Sequence, residues 1–149
     1  MSQAADDDRD AWHGLPQNRF NKHALIVGTP TIGEGTWIGP FTVIDGSGGL
    51  TIGKGCDISA GAQIYTHSTV ARCLTERRHN QVDRKPTEIG DYVHVGANAT
   101  ILMGVVIGHH SVIGAGAVVR EGTVVPPYSS VVGVPGRVRE NATRKWTDG

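Results

Sequence analysis

The sequence predicts an all-β protein, a parallel β-helix of about five turns. Ile or Val returns at every sixth position from Ile89 to Val131, and a small or β-branched residue stands four positions later, as Ala99 does after Val95. A period of six belongs neither to an amphipathic α-helix nor to an alternating strand, but it is typical of a β-solenoid. We therefore expect each six-residue unit to be a short strand followed by a bend, with three units in each turn of a triangular prism.

The same period continues towards the N-terminus with one interruption. The aliphatic positions there are Ile26, Ile32, Ile38, Ile44, Ile52, Ile58, Ile64 and Val70. Together with the eight positions nearer the C-terminus they make sixteen, or slightly more than five turns at three per turn. Stacked turns pair as parallel strands about 4.8 Å apart, which satisfies the backbone hydrogen bonds of the interior. Ile and Val suit such a column because they are stiff at χ1 and pack well on a pleated surface.

Composition excludes several classes of protein. Lys plus Arg and Asp plus Glu each total 14, so the overall charge does not favour a nucleic acid or an anionic membrane surface as partner. No apolar run approaches the roughly 20 residues of a spanning helix. The N-terminus carries the acidic run 6–8 in place of a signal peptide. We expect one cytoplasmic domain.

The repeat also predicts the domain organisation. Residues 1–24 lack the repeat and are predicted to form an arm, either flexible or docking on a neighbour. Residues 25–136 form the β-helix, which Pro135 and Gly136 should end. The polar residues 137–149 are predicted to form a short C-terminal cap and tail.

Two interruptions of the repeat carry the functional signal. The first, at 45–50, is two residues too long. In the second, the spacing from Val70 to Ile89 is nineteen instead of six, so a polar loop at 71–85 should leave the prism. Insertions in a solenoid map to loops that often form its binding face. Counting three units per turn places the first insertion and His67 at the same corner of the prism, one turn apart.

Four features together resemble a known family. They are the repeat itself, the Thr66-His67 pair before a long loop, the segment Ile113–Val119, and the segment Pro126–Arg137. The chain resembles the hexapeptide-repeat acyltransferases, closest to the galactoside and maltose O-acetyltransferases and to the sugar-nucleotide acetyltransferases. The resemblance implies a left-handed β-helix, whereas the general crossover rule favours the right-handed form. It also implies a homotrimer that binds acetyl-coenzyme A between neighbouring chains, with no metal.

The same resemblance implies roles for particular residues near the acceptor. His67 matches the family's catalytic histidine, a general base, and an imidazole that titrates near neutrality suits that task. His79, in the loop, is the alternate base. Phe41 lies near a position at which this branch contacts its substrate, and Asp45 lies at the same corner as His67. We expect both to contact the acceptor.

Contacts to the coenzyme are also implied by the resemblance. Ala97 and Ala115 match positions whose backbone meets the pantetheine arm, and Arg137 matches a basic residue near the phosphates. Arg120 stands where sugar acetyltransferases of this branch often have Thr. Arg139 lies one residue away from a second position at which the family has a basic residue. We expect all five to bind the coenzyme.

The sequence therefore predicts an acetyltransferase that uses acetyl-coenzyme A to acetylate a hydroxyl or amine of a saccharide or sugar nucleotide. One alternative is a non-catalytic β-helix scaffold, for which the repeat alone would suffice. Another is a γ-class carbonic anhydrase, which needs three histidines around zinc. Ala97 and Leu102 stand at two of the matching positions, which argues against that reading.

Overall fold

The computed structural model describes residues 17–149, and short β-strands make up most of the regular structure. Within these residues there are eighteen strands and two short helices, α1 (Val70–Leu74) and α2 (Arg144–Thr147). In chain order the strands are β1 Leu25–Val27, β2 Thr31–Ile32, β3 Trp37–Ile38, β4 Val43–Asp45, β5 Leu50–Ile52, β6 Asp57–Ile58, β7 Gln63–Ile64, β8 His67–Ser68, β9 Asp83–Arg84, β10 Thr87–Ile89, β11 His94–Val95, β12 Thr100–Ile101, β13 Val106–Ile107, β14 Val112–Ile113, β15 Val118–Val119, β16 Val124–Val125, β17 Ser130–Val132 and β18 Arg137–Arg139.

Three parallel sheets form the faces of a prism. The first face has the order β1-β4-β7-β12-β15, the second β2-β5-β10-β13-β16, and the third β3-β6-β11-β14-β17, to which β18 adds an antiparallel edge. Five strands on each of three faces make five turns. The chain is an all-β, left-handed parallel β-helix, and this confirms the predicted fold class.

The aliphatic repeat forms the core. Ile44 pairs with Ile64, Ile64 with Ile101, and Ile101 with Val119 across the first face, and all four side chains are buried. A second inward position in each unit holds a small residue, such as Ala62 or Ala99, both fully buried. The parallel register therefore stacks like residues on like residues and fills the prism with one continuous column.

Val70 is an exception to the predicted inward series. Its side chain is 61% exposed in α1, and Ile89 supplies the inward residue of that turn on the second face. The sixfold spacing at Val70 was coincidental, because strand pairing decides which residue enters the core. The loop that leaves the prism is also longer than 71–85, since it includes the antiparallel strands β8 and β9.

The three corners of the prism require an unusual backbone. We call them the first corner (first to second face), the second corner (second to third face) and the third corner (third face back to the first). At the second corner Tyr92, His110 and Tyr128 have φ between 55° and 61°, in the left-handed region. Such φ angles cost non-glycine residues of order 1–3 kcal/mol. The three rings contact one another in succession, with centroids 5.2 and 5.1 Å apart, and these contacts offset part of that cost.

Both ends of the prism are covered. From the predicted arm, Phe20 packs against the core, and the Asn21 side chain donates a hydrogen bond to the Ile38 carbonyl; residues 1–16 lie outside the described residues. At the other end, the Arg144 guanidinium lies 3.5 Å from the centre of the Tyr128 ring. Neither helix in the described part of the chain has the length and apolar character needed to cross a bilayer.

Two adjacent residues of β13 test which positions of the repeat point into the core, which we call its inward phase. Ile107 is 1% exposed and Val106 is 36% exposed. We expect Ile107→Ala to lower the free energy of unfolding by about 2–5 kcal/mol, because rigid neighbouring turns cannot collapse into the cavity. Val106→Ala should lower it by less than about 1 kcal/mol. Denaturant titration of the two variants measures both values, and equal losses would contradict the observed phase.

Candidate active site

The two interruptions of the repeat meet at the first corner. Asp45 ends β4 and opens the glycine-rich insertion, and His67 begins β8 one turn later. The imidazole Nδ1 of His67 lies 2.5 Å from the carboxylate Oδ2 of Asp45. The expectation that the insertion and His67 share a corner is confirmed, and the contact joins them as a histidine–aspartate pair.

Asp45 is a buried and fully engaged carboxylate. Its Oδ2 also accepts a hydrogen bond from the Thr66 amide (2.9 Å) and lies 3.1 Å from the Thr66 hydroxyl, and its Oδ1 accepts one from the Ser47 amide (2.9 Å). Burial by itself raises the pKa of Asp45, but hydrogen bonds from Thr66, His67 and Ser47 outweigh it and hold the pKa well below its ordinary value. Because an ionised carboxylate only accepts, Nδ1 of His67 carries the hydrogen, and Nε2 of the neutral ring keeps its lone pair.

Thr66 holds the insertion against the loop that leaves the prism. Its hydroxyl accepts a hydrogen bond from the Gly48 amide (2.8 Å) and lies 2.9 Å from the Asp45 carbonyl, to which it can donate. A Cβ at Gly48 would collide with the Thr66 carbonyl and approach the Arg84 side chain at 3.1 Å. Glycine at this position therefore allows the two interruptions to stack, and the stacking places Asp45 beneath His67.

An open cleft of about 410 Å³ lies beside the pair, within the size range of small-molecule sites. It is lined by Leu25, Val27, Val43, Asp45, Ser47, Tyr65, His67, Thr69, Arg72, Val82 and Arg84. The Tyr65 ring meets the imidazole edge to face at 5.8 Å, and its hydroxyl donates to Gln63 (2.6 Å). Burial, followed by the negative charge of Asp45, raises the pKa of Tyr65, so the phenol stays neutral. The arrangement presents an oriented proton acceptor to a small ligand.

The alternate base, His79, lies elsewhere in the same loop. Its Nε2 is 3.0 Å from Oδ1 of Asp83, and both side chains are 40% exposed. His79 does not line the cleft. Its ring nitrogen is engaged within the loop, whereas the Nε2 of His67 is left for a ligand.

Three residues expected to bind ligands lie at the third corner. Ala97 and Ala115 lie there in successive turns, and the Ala97 carbonyl accepts a hydrogen bond from the Gly116 amide (2.9 Å). Phe41 lies at the same corner and is 71% exposed. The third corner is the opposite edge of the first face from His67, so a single chain does not bring these residues to the base.

The three predicted arginines are spread over two corners and one edge strand. Arg120 follows β15 at the first corner, two turns from His67. Arg137 begins β18 next to Gly136, whose amide donates to the Val118 carbonyl and so lies at the third corner. Arg139, on the same strand, lines a separate cleft with Trp146. All three are exposed.

The sequence placed Asp45 in the site but gave no role to two arginines that line the cleft. Asp45 was expected to contact the acceptor, yet its side chain is 3% exposed and directed at His67. Arg72 and Arg84 were noted only as polar loop residues, and both line the cleft. The signal that would have found Arg84 is its position opposite His67 in the β8–β9 ladder, which no periodicity reveals.

No group of three or more His, Cys, Asp or Glu side chains within residues 17–149 is arranged to hold a metal ion.

Comparison with known proteins agrees with the fold. The profile of the bacterial transferase hexapeptide (six repeats) matches residues 86–121, and that of the hexapeptide repeat of succinyl-transferase matches residues 31–66. These two segments flank the loop that leaves the prism. The loop that carries His67 and the arginines is therefore an insertion between two stretches of family repeat.

Relatives extend the match over most of the chain. Serine acetyltransferase of Staphylococcus aureus is 36% identical over 107 residues, which is 72% of this chain and 47% of the relative. A hexapeptide-repeat-containing acetyltransferase from Vibrio cholerae, solved in complex with acetyl-coenzyme A, is 33% identical with a TM-score of 0.67, over 91% of this chain and 77% of that one. A maltose O-acetyltransferase from Clostridium difficile is 26% identical with a TM-score of 0.61, over 80% and 66%.

The protein belongs to the hexapeptide-repeat transferase family, as its sequence resemblance indicated. The chain spans about half the length of the curated relatives that it matches.

The engagement of Asp45 predicts a pH-dependent contribution to stability. We expect Asp45→Asn to lower the free energy of unfolding by about 1.5–3 kcal/mol at pH 5, because a hydrogen bond to a charged group typically contributes that much to stability. Because the pKa of Asp45 is lower in the folded than in the unfolded chain, where it is near 3.8, this contribution is complete above about pH 4.5 and decreases as the pH falls further. Denaturant titrations of both proteins between pH 5 and 2.5 measure the difference. A difference that stayed constant to pH 2.5 would contradict the assignment.

Proposed function

We propose that this protein is an acetyltransferase that moves the acetyl group of acetyl-coenzyme A to a hydroxyl or amine of a small acceptor, with His67 as general base. The observation that carries the proposal is the His67–Asp45 pair, which engages Nδ1 of a histidine that lines a cleft of small-molecule size. The acetyl-coenzyme A bound to the relative from Vibrio cholerae supports the choice of donor. The relatives act on serine and on maltose by name, and both of these compounds carry hydroxyl groups.

The chemistry follows from the tautomer of His67. Nε2 accepts the proton of the acceptor hydroxyl while its oxygen attacks the thioester carbonyl, and a tetrahedral intermediate forms. The intermediate collapses when the carbon–sulfur bond breaks, and the imidazolium returns its proton to the departing thiolate. The products are the acetylated acceptor and coenzyme A.

Asp45 serves the base in two ways. Its carboxylate fixes the ring orientation and the Nδ1–H tautomer before the reaction, and its charge stabilises the imidazolium that forms during it. Asp45 is held by Thr66 and Ser47, so it does not need to reorganise when the ring charges. We therefore assign Asp45 a positioning role that acts through His67.

A homotrimer would complete the site. His67 lies at the first corner, and the residues expected to meet the pantetheine arm, Ala97 and Ala115, lie at the third. A neighbouring prism that sets its third corner against the first corner of this chain would bring the thioester to the base. Arg137, also at the third corner, would then hold the coenzyme phosphates on that neighbour.

A non-catalytic scaffold does not need these features. A scaffold requires the aliphatic core and the corners of the prism, but not a buried carboxylate that is hydrogen-bonded to a histidine in a cleft.

Saccharides and sugar nucleotides are the acceptors to test first, followed by serine.

The first test concerns the identity of the base. We expect His67→Ala to lower kcat by about 10²- to 10⁴-fold, because a positioned general base contributes that much. The variant should remain folded at the assay temperature, and acetyl-coenzyme A binding should hardly change. The matched control is His79→Ala, which removes the other histidine paired with an aspartate and should leave turnover near wild type. Loss of turnover in His79→Ala and not in His67→Ala would assign the base to the loop.

The second test asks whether two chains share one site. His67→Ala removes the base, and Ala97→Trp should block the coenzyme groove at the third corner. Each variant alone should be inactive. In randomly mixed oligomers, about a quarter of the sites would pair an intact base with an intact groove, so about a quarter of wild-type activity should return. Activity that stays at the average of the separate preparations would show that each chain carries a whole site.

A further inference from the structure

Two arginine side chains line the same cleft as His67, and they bear on which acceptors the site selects. Arg84 lies in β9 directly opposite His67 in β8, and directly paired antiparallel residues point their side chains to the same face, about 5 Å apart at Cβ. The ladder therefore holds the Arg84 stem beside the imidazole. Its long side chain can reach a ligand that presents a hydroxyl to Nε2.

Arg72 reaches the cleft from the other arm of the same loop. It lies in α1 and is half-buried, and Arg84 is exposed. Both line the cleft, whereas the exposed Arg77 and Arg78, further along the loop, do not. The rest of the lining near the base is mostly apolar, with Leu25, Val27, Val43 and Val82 among its members. Two arginine side chains in the lining of a mostly apolar cleft, beside an oriented histidine, are typical of a site that binds a charged small molecule.

The charges of the cleft are not balanced by the described residues. Neither Arg72 nor Arg84 has a carboxylate within ion-pair distance in residues 17–149, where the arginine pairs are Arg78–Glu76 and Arg144–Asp148. Asp45 is the acidic residue of the lining, and its oxygens already accept from His67, Thr66 and Ser47. The cleft therefore has an excess of positive charge that faces the ligand.

We infer that the acceptor carries an anionic group, a carboxylate or a phosphate, which Arg72 and Arg84 bind while its hydroxyl or amine meets His67. The inference rests on the proposed acetyl transfer and narrows its acceptors to hydroxy acids, amino acids, sugar phosphates and sugar nucleotides. Planar guanidinium groups bind carboxylate and phosphate oxygens in paired, charge-assisted hydrogen bonds. A neutral sugar would leave both cations without a partner.

The coenzyme is the other possible source of the anion, and the geometry disfavours it. The phosphates of coenzyme A are separated from the thioester by the whole pantetheine arm. Arg84 stands directly across from His67, so a phosphate held there would lie where the reacting carbonyl must be. The acceptor can place an anion near its own nucleophile, as serine and sugar phosphates do.

Kinetics with matched acceptors distinguish an anion carried by the acceptor from an anion carried by the coenzyme. The two members of each acceptor pair differ only in the anionic group: serine and serinol, or N-acetylglucosamine 1-phosphate and N-acetylglucosamine. We expect the anionic member to be the better substrate, and Arg72→Gln and Arg84→Gln each to lower its kcat/KM by about 10- to 100-fold. The KM for acetyl-coenzyme A should not change, and Arg77→Gln, which removes an exposed arginine of the same loop, should have no effect. Equal use of both members, or a raised KM for acetyl-coenzyme A instead, would overturn the inference.

A binding measurement tests the inference even if no acceptor in the panel is turned over. The imidazole resonances of His67, assigned with His67→Ala, are followed as inorganic phosphate or acetate is added at constant ionic strength. We expect a saturable shift in the wild type, an affinity at least about tenfold weaker in the Arg72→Gln/Arg84→Gln double variant, and no change in Arg77→Gln. A wild type without a saturable shift, or a double variant that responds like the wild type, would overturn the anion site. The His67→Ala kinetics test the acetyl transfer separately.

Discussion

Strands of two or three residues are too short to be stable by themselves, and this constraint governs the whole molecule. Each strand is stable only because turns above and below supply its hydrogen bonds and cover its inward Ile or Val. The interior is filled by the aliphatic column and has no room for an extra residue. Any insertion must therefore leave at a corner. For that reason the candidate active site lies at a corner, while the strands of the faces provide the buried core that stabilises the fold.

The candidate active site is built from two such insertions stacked on each other. A buried carboxylate is costly unless hydrogen bonds satisfy it, and Asp45 receives them from the insertion that it opens and from the loop above it. Gly48 and Thr66 fix the distance between the two insertions. His67 is thus oriented by Asp45, which ends a prism strand, although His67 itself begins a loop. A loop can carry a precisely oriented base when its first residues are held in this way.

The separation of the ligand-binding residues has a consequence for assembly. His67, the proposed base, and its cleft lie at one edge of the first face, and the alanines expected to meet the coenzyme lie at the other. A prism is rigid across its face, so no hinge within one chain can close that gap. Association of two prisms can close it, which is why the proposed reaction and the proposed oligomer depend on each other. The arginines of the loop would then select the acceptor, while the neighbouring chain presents the donor.

The sequence alone determined the fold, the inward phase of residues such as Ile101, and the meeting of the first insertion with His67 at one corner. It could do so because each of these properties repeats every six residues, and a repeated local interaction leaves a period that can be counted. The tertiary structure decided the rest. It places Val70 outside the core and directs the Asp45 carboxylate at His67. It also places Phe41 at the opposite edge of the first face from His67, and it pairs Arg84 with His67 in the β8–β9 ladder. These outcomes depend on pairing between residues within and across two aperiodic insertions, and such pairing is fixed by contacts in space that leave no period in the chain.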